Sequence, residues 1–144
     1  MEEVIRIEDI SKKALEIIEK ASKIALKGAL VIAFYGDLGV GKTTLTKEIA
    51  KHLGIKDNVI SPTFVLMKIY KTKNEIFKKL IHIDAYRLDK SEEINKLGWE
   101  DLVEDKNNFI IVEWPERVEE FLPQDTFRID IKHEDDTTRR IKFI

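Results

Sequence analysis

The sequence predicts an α/β fold in which helices flank a sheet of mixed parallel and antiparallel strands. In the first part of the chain, segments with helical spacing of apolar residues alternate with short apolar runs, an order typical of parallel strands joined by helices. In the second part, short strand-like runs are separated by polar turns, which is typical of antiparallel hairpins. With 144 residues, 43% of them hydrophobic, we expect one domain over residues 1–144.

The elements of the first part follow from hydrophobic periodicity and from the scarce glycines that end them. Asp9 or Ser11 is expected to cap the first helix and Gly28 to close it, whereas Gly54 is expected to stop the second. The predicted elements are helix Ser11–Lys27, buried strand Ala29–Tyr35 and helix Lys42–Leu53. The segment before Ser11 is too loosely patterned to assign.

The elements of the second part are mainly short strands. An antiparallel pair with a polar turn and a terminal hairpin are predicted, with one or two short helices between them that break at Gly98. In order, these are strands Phe64–Tyr70 and Ile76–Asp84 around turn Lys71–Glu75, helical segment Ser91–Glu104, buried strand Phe109–Trp114, and strands Phe127–His133 and Arg139–Ile144 around turn Glu134–Thr138.

The composition excludes several classes of protein. The chain carries 25 basic and 27 acidic residues, so it lacks the strongly basic character of proteins that bind nucleic acid on their own. Without cysteine it has no disulfides and no thiolate zinc site, and three scattered histidines do not form a metal cage. An acidic N-terminus and the absence of an apolar run of roughly 20 residues argue against a signal peptide or membrane span. We therefore expect a cytoplasmic protein without membrane association.

The segment from Gly36 to Thr43 matches the phosphate-binding pattern G-x-x-x-x-G-K-[ST]. Glycines let successive backbone N–H groups turn inward around an anion, and the helix that follows adds its positive N-terminal end. Lys42 is expected to reach the β- and γ-phosphates, and the Thr43 hydroxyl to hold Mg²⁺. This predicts a P-loop NTPase-like fold whose phosphate-contacting residues are Gly36, Asp37, Leu38, Gly39, Val40, Gly41, Lys42, Thr43 and Thr44.

Two acidic residues end apolar strands and are candidates for the metal and for catalysis. The run Phe109–Val112 leads into Glu113, and the run Leu80–Ile83, interrupted by His82, leads into Asp84. Because a buried carboxylate is costly unless it is paired or bound to a metal, we expect Glu113 to hold Mg²⁺, directly or through water. Asp84 is expected to orient or deprotonate the attacking water. The alternative is that each acid marks its strand's exit into solvent.

Two further segments have open interpretations. Ser61-Pro62-Thr63-Phe64 lies where many P-loop NTPases sense the γ-phosphate, but it also suits an ordinary entry into a strand. Trp114 packs beside the nucleotide, presents a partner surface, or belongs to the core.

Four segments together, GDLGVGKTTLTK, SPTF, HIDAYRL and VEWPE, resemble the TsaE (YjeE) family over nearly the whole chain. That family is the bacterial ATPase of tRNA threonylcarbamoyladenosine synthesis. The resemblance implies ATP and Mg²⁺ as cofactors and the TsaD and TsaB proteins as partners. It also implies that those partners transfer a threonylcarbamoyl group to an adenosine of the tRNAs that read codons beginning with A, and that this chain reaches tRNA only through them.

By position, the resemblance implies that Lys42 and Thr43 are the phosphate and Mg²⁺ residues, and Glu113 the second metal contact. Asp84 is then needed for hydrolysis, and Thr63 and Trp114 are functional positions near the nucleotide or its switch. Val40 departs from the alanine expected in the loop, at a position that contributes mainly backbone. Arg139 or Arg140 lies against the base or phosphates, or is a solvated strand residue.

Other functions that fit a phosphate-binding loop remain alternatives. A GTPase needs an Asn-Lys-x-Asp element, and Asn95-Lys96-Leu97-Gly98 lacks the aspartate. A small-molecule kinase usually needs an arginine-bearing lid, whereas the arginines here are dispersed. A nucleotide-gated interaction module, whose output is binding, is compatible with slow hydrolysis. Candidate exposed partner surfaces are Gly98–Glu100 and Glu92–Glu93, with an ordinary solvated surface as the alternative.

Overall fold

The fold is built on one seven-stranded mixed sheet. The computed structural model describes residues 2–24, 27–37, 39–56, 59 and 66–144. The elements are β1 (Glu2–Arg6), α1 (Ile10–Ser22), β2 (Leu30–Tyr35), α2 (Lys42–His52), β3 (Met67–Lys71), β4 (Lys79–Asp84), α3 (Trp99–Glu104), β5 (Asn108–Glu113), β6 (Phe127–His133) and β7 (Thr138–Phe143). Short 3₁₀ turns fill several of the connections.

The strand order is β1-β7-β6-β2-β5-β4-β3. The four central strands, β6, β2, β5 and β4, run parallel. At one edge β3 pairs antiparallel with β4, and at the other β7 and β1 pair antiparallel beyond β6. The predicted mixed sheet, its antiparallel pair and its terminal hairpin are confirmed. Within the described part of the chain, no helix combines the length and apolar character that crossing a bilayer demands.

Apolar cores cover both faces of the central strands, which explains why β2 and β5 are uninterrupted apolar runs. Side chains alternate along a strand, so Leu30, Ile32 and Phe34 join the core that includes α1 and α2. Val31 points the other way and joins the core around Trp99 of α3. Because the sheet is buried on both faces, its strand ends are held rigidly, and they are the positions from which the candidate site is built.

The structure differs most from the predicted elements in three places. The first helix ends at Ser22, not Lys27, and Gly28 does not close it. A Cβ at Gly28 would collide with the Val103 carbonyl, which also accepts from the Ala29 amide, so this glycine permits close contact between chain segments. The strand predicted from Ile76 begins at Lys79. The residues before it form a turn, in which Asn74 Oδ1 accepts hydrogen bonds from the backbone amides of Ile76 and Phe77.

The third departure is β1, which lies in the segment left unassigned. It pairs with β7 over the register Glu2↔Lys142 to Arg6↔Thr138. Its side chains are mostly exposed, so the strand has no alternation of apolar and polar residues strong enough to reveal it. Pairing with the edge of the sheet, rather than burial, accounts for the strand.

Candidate functional site

The carboxyl ends of three parallel strands lie side by side at one edge of the sheet. Strand β5 runs between β2 and β4, and its last residue, Glu113, is paired in register with Phe34 on one side and Asp84 on the other. The loop that begins at Gly36 leaves the end of β2 at this same edge. The loop and both acidic residues therefore meet at one place, as is typical of ligand sites in open α/β sheets.

The glycines of the loop are required by its backbone conformation. Gly36 has φ of 142°, and a Cβ there would lie 2.5 Å from the carbonyl oxygen of Ile131. Gly41 has φ of 110° and immediately precedes α2, where its carbonyl accepts the first helical hydrogen bond, from the Leu45 amide at 2.9 Å. L-residues rarely adopt such positive φ values, so the motif glycines shape the turn that leads into the helix.

Lys42 has a buried ammonium group with no carboxylate partner among the described residues. The residue is 5% exposed, and its Nζ donates to the Gly36 carbonyl at 2.6 Å. The same nitrogen lies 4.2 Å from the centroid of the Trp114 ring. A buried cation held by a carbonyl and an aromatic face, rather than by an anion, remains available for an anionic ligand.

Glu113 is buried in contact with a histidine. The residue is 4% exposed, and its Oε2 lies 2.5 Å from Nε2 of His82, which is fully buried. Nδ1 of His82 has no hydrogen-bond partner within the described residues. The alternative that Glu113 marks the exit of its strand into solvent is therefore wrong.

Asp84 is half-buried at the end of β4, and its Oδ1 accepts from the Tyr86 amide at 3.0 Å. Burial raises the pKa of the Asp84 carboxyl above its ordinary value, and the charge of neighbouring Glu113 raises it further. The hydrogen bond from Tyr86 and the positive charge of Lys42 act in the opposite direction. Two carboxylates in one partly desolvated place form a site suited to a cation or to proton transfer.

Trp114 adopts a left-handed backbone conformation directly after Glu113. Its φ is 56° and its ψ 50°, a conformation that costs a residue with a side chain roughly 1–2 kcal/mol. The indole lies against the Tyr86 ring, with centroids 4.9 Å apart, and the guanidinium of Arg117 lies 5.4 Å from the Tyr86 centroid. This arrangement turns the indole toward Lys42, and such strain is commonly found at functional sites.

These groups enclose a cleft of about 210 Å³. It brings together eight of the predicted site residues: Gly39, Gly41, Lys42, Thr43, Thr44, Asp84, Glu113 and Trp114. Gly36, Asp37 and Val40 belong to the same loop but do not line the cleft, and the Val40 side chain is buried in the core. Leu38, Thr63 and the rest of the Ser61–Phe64 segment lie outside the described residues.

A larger cavity, of about 420 Å³, lies elsewhere on the molecule. Gly28, Ala29 and Val103 line it, together with residues 123–125, so it lies near the amino end of β2. Ligands of parallel sheets bind beyond the carboxyl ends of the strands, so the smaller cleft is the candidate site.

The cleft fits a polyphosphate accompanied by Mg²⁺. A Cβ at Gly39 or Gly41 would meet no atom within 4 Å, so the loop leaves open space beside its backbone. The Thr43 hydroxyl and the carboxylates of Asp84 and Glu113 are oxygen ligands of the type Mg²⁺ prefers. The described residues hold no group of three His, Asp or Glu side chains that suits a metal ion. Mg²⁺ usually binds through one or two carboxylates plus phosphates, and the cleft offers two carboxylates.

Sequence reasoning assigned no role to two contributors to the site, His82 and Tyr86. His82 interrupts an apolar run, and that interruption was its signal, whereas Tyr86 gave no signal of its own. Arg139 was one of two arginines considered for a position against the base or phosphates. Arg139 donates from Nε to the Val40 carbonyl at 3.0 Å, so it lies against the backbone of the loop.

The structure also tests two expectations about surface residues. Arg140 forms ion pairs with Glu134 and Glu2, so it is a solvated strand residue, which was one of the two alternatives for this arginine. Trp99 is 2% exposed and its Nε1 donates to the Phe121 carbonyl at 2.9 Å. The expectation of an exposed surface at Gly98–Glu100 is therefore wrong for Trp99, whose indole instead completes the core on that face of the sheet.

Comparison with known proteins identifies the family of this chain. The sequence model of one family, described as "Threonylcarbamoyl adenosine biosynthesis protein TsaE", matches residues 7–141. The chain belongs to the TsaE family. The matched range includes the loop, both acidic strand ends and most of the terminal hairpin, so the site lies within the TsaE match.

Individual TsaE relatives cover most of the chain. A tRNA threonylcarbamoyladenosine biosynthesis protein TsaE from Rickettsia typhi is 39% identical over 79% of this chain and 76% of its own length. The protein of the same name from Bacillus subtilis is 37% identical over 93% of this chain and 81% of its own. The crystal structure of YdiB from Bacillus subtilis superposes with a TM-score of 0.71 at 31% identity, covering 99% of this chain and 83% of that one.

Proposed function

We propose that this protein is an ATP-binding and hydrolysing subunit required for the formation of threonylcarbamoyladenosine in tRNAs that read codons beginning with A. The observation that carries the proposal is the cleft, in which the phosphate-loop lysine faces two carboxylates at adjacent strand ends. The names of the TsaE relatives supply the pathway. Residues 1–144 would then be one P-loop ATPase domain, and the cytoplasm is its expected compartment.

Within this function, the loop and Lys42 bind the phosphates. Loop amides and the N-terminal end of α2 give the negative charge a preorganised positive environment. The Lys42 ammonium exchanges the Gly36 carbonyl and the Trp114 ring for the β- and γ-phosphate oxygens, because an anion is the stronger partner. The cleft is smaller than the roughly 300–1,000 Å³ of typical ligand pockets, so we assign to it the phosphates and the metal rather than the whole nucleotide.

The acidic residues divide the remaining tasks. Thr43 and Glu113 would hold Mg²⁺, which neutralises charge on the phosphates when it is bound. Asp84 orients or deprotonates the attacking water, a role that its raised pKa suits because the carboxyl is a better proton acceptor than an ordinary aspartate. Thr63 is retained as a further catalytic residue on sequence grounds, and Trp114 as a residue beside the nucleotide.

The kinase alternative lacks a supporting observation in the described residues. A small-molecule kinase usually needs an arginine-bearing lid, and none of the described residues that line the cleft is an arginine. The nucleotide-gated module differs from our proposal in emphasis only. Its output would be a change in the surface around Trp114, which lines the cleft, and Tyr86, whose ring contacts the indole.

The proposed partners are the TsaD and TsaB proteins, with tRNA reached only through them. A formal net charge of -2 suits a protein that does not bind tRNA by itself. A compact P-loop domain often needs a partner to complete its catalytic site, as when an arginine is supplied in trans. We therefore expect weak ATP hydrolysis by the isolated chain and stimulation by the partner pair.

The test combines binding and turnover. The purified chain is mixed with TsaD and TsaB in the presence of ATP, ADP or no nucleotide, and retention and phosphate release are measured. We expect retention that depends on nucleotide and faster phosphate release with the pair. Equal turnover with and without the partners would contradict the coupling, while the absence of turnover under every condition would contradict the ATPase assignment.

A further inference from the structure

His82 is a buried polar residue that the proposed function has not used. It occupies the middle of β4 with no exposed surface, next to Ile81 and Ile83, which are fully buried as well. An aliphatic residue would pack there without the cost of burying two ring nitrogens. Nδ1 has no hydrogen-bond partner among the described residues.

The polar contact that the ring makes with a described residue is to Glu113. Nε2 lies 2.5 Å from Oε2 of Glu113, and both groups are almost completely removed from solvent. Strands β4 and β5 are parallel neighbours, and Asp84 is in register with Glu113. His82 precedes Asp84 by two residues, so its side chain lies on the same face of the sheet as those of Asp84 and Glu113. A tautomer with its proton on Nε2 donates to the carboxylate and leaves Nδ1 as a bare acceptor.

A glutamate side chain has several rotamers, so its carboxylate can point in several directions unless a contact fixes it. The contact with His82 engages Oε2 on the core side, whereas Glu113 also lines the cleft beside Thr43. The second carboxylate oxygen therefore remains for the cleft. Partners of this kind commonly set the orientation of metal-binding carboxylates, and their loss weakens metal affinity roughly 10–100-fold.

We propose that His82 is a positioning residue that orients the Glu113 carboxylate toward a divalent cation in the cleft. The proposal rests on the function proposed above, in which Glu113 contacts the Mg²⁺ that accompanies the nucleotide. His82 does not touch nucleotide or metal, so its effect appears in the dependence of nucleotide affinity on Mg²⁺ rather than in the affinity for nucleotide alone.

The experiment uses the full chain and a non-hydrolysable ATP analogue, adenylyl-imidodiphosphate, whose affinity is measured by calorimetry with and without Mg²⁺. His82→Leu removes the donor, and His82→Gln places an amide N–H at a similar reach. Ile81→Ala is the matched control, because it creates a cavity on the same strand but on the opposite face. Circular dichroism melts report the stability of each variant.

We expect Mg²⁺ to strengthen the binding of the analogue by the wild type. His82→Leu should lose about 10–100-fold of that gain in affinity, while its affinity without Mg²⁺ stays unchanged. His82→Gln should recover most of the gain, and Ile81→Ala should keep it while melting at a lower temperature. Full Mg²⁺ enhancement in His82→Leu, or equal loss in Ile81→Ala, would overturn the proposal. If His82→Leu fails to fold, the comparison passes to His82→Gln and His82→Asn. Asparagine is too short to reach Glu113, so equal gains in that pair overturn it.

The same titration distinguishes a failure of this inference from a failure of the proposed function on which it rests. Wild-type binding of the analogue with no response to Mg²⁺ would overturn the role of Glu113 and, with it, that of His82. No binding of the analogue under any condition would overturn the proposed function itself.

Discussion

The ammonium group of Lys42 lies 4.2 Å from the centre of the Trp114 ring and donates to the Gly36 carbonyl at 2.6 Å. Lys42 begins α2 after the phosphate loop, whereas Trp114 follows β5 in a left-handed conformation. The contact therefore links the loop to the strand end that carries Glu113. We expect a phosphate that attracts Lys42 to weaken the contact of the ammonium with the indole, so nucleotide binding should alter the environment of Trp114.

Lys42→Ala should abolish ATP hydrolysis and weaken nucleotide binding. The variant loses a charge-assisted hydrogen bond to phosphate, worth roughly 1.5–3 kcal/mol, so the affinity should fall by about tenfold to more than a hundredfold. Phosphate release and equilibrium dialysis with labelled ADP measure the two effects. Lys47→Ala, on the exposed face of the same helix, is the control and should behave like the wild type. Undiminished hydrolysis by Lys42→Ala would refute the role of the loop.

Asp84→Asn should keep nucleotide binding and lose most hydrolysis. Asparagine still accepts from the Tyr86 amide but cannot take a proton, so turnover should fall roughly 10²–10⁴-fold.

The Asp84→Asn variant should also be more stable than the wild type at pH 7. Because the folded-state pKa of Asp84 lies above its ordinary value, its favourable contribution is present at low pH and is lost as pH rises through the folded-state pKa.

Thermal melts without nucleotide check the second expectation for Asp84→Asn. The midpoint of the variant should exceed that of the wild type at pH 7, and the difference should shrink as the pH falls toward the ordinary pKa of aspartate. A variant that is less stable than the wild type at neutral pH would show that the buried carboxylate is compensated in the folded state.

Glu113→Gln should reduce the gain in nucleotide affinity that Mg²⁺ provides. Glutamine retains the size of the side chain and still offers an oxygen to His82, but it removes the negative charge that attracts a cation. Titration of Mg²⁺ into the chain with bound nucleotide should therefore show weaker binding, whereas Asp84→Asn should remain close to the wild type. The reverse pattern would exchange the roles of the two acids and leave the family assignment intact.

Tryptophan fluorescence should report nucleotide binding through Trp114. Its indole contacts Lys42 and Tyr86 at the cleft, whereas Trp99 is buried in the core and bonded to the Phe121 carbonyl. Addition of ATP with Mg²⁺ should change the emission of the wild type. Trp114→Phe should lose this change and retain the constant emission of Trp99. A nucleotide-dependent signal that survives in Trp114→Phe would assign the response to Trp99.

The residues that meet in the cleft were predictable because each is marked by a local pattern in the sequence. The glycine pattern before Lys42 specifies the loop, and an acid that ends an apolar run specifies Asp84 and Glu113. Parallel strands place their carboxyl ends at one edge, so the meeting of these groups follows from the fold class. The register Asp84↔Glu113 confirms that they are neighbours.

The supporting contacts were not predictable because they depend on which strands are adjacent and in which register. His82 meets Glu113 only because β4 lies beside β5, and the sequence alone shows a histidine that interrupts an apolar run. Arg139 reaches the Val40 carbonyl across 99 residues of chain. The exposed strand β1 has no periodicity of its own and is defined by its pairing with β7.

The central claim is that the backbone around Gly41 and the Lys42 ammonium receive the phosphates of a nucleotide whose Mg²⁺ contacts Glu113. Isothermal titration of the wild-type chain with ADP in Mg²⁺-containing buffer tests it most directly. The account predicts a saturable heat of association with one site per chain, which becomes weaker when EDTA removes the metal. A titration indistinguishable from the heat of dilution would contradict it.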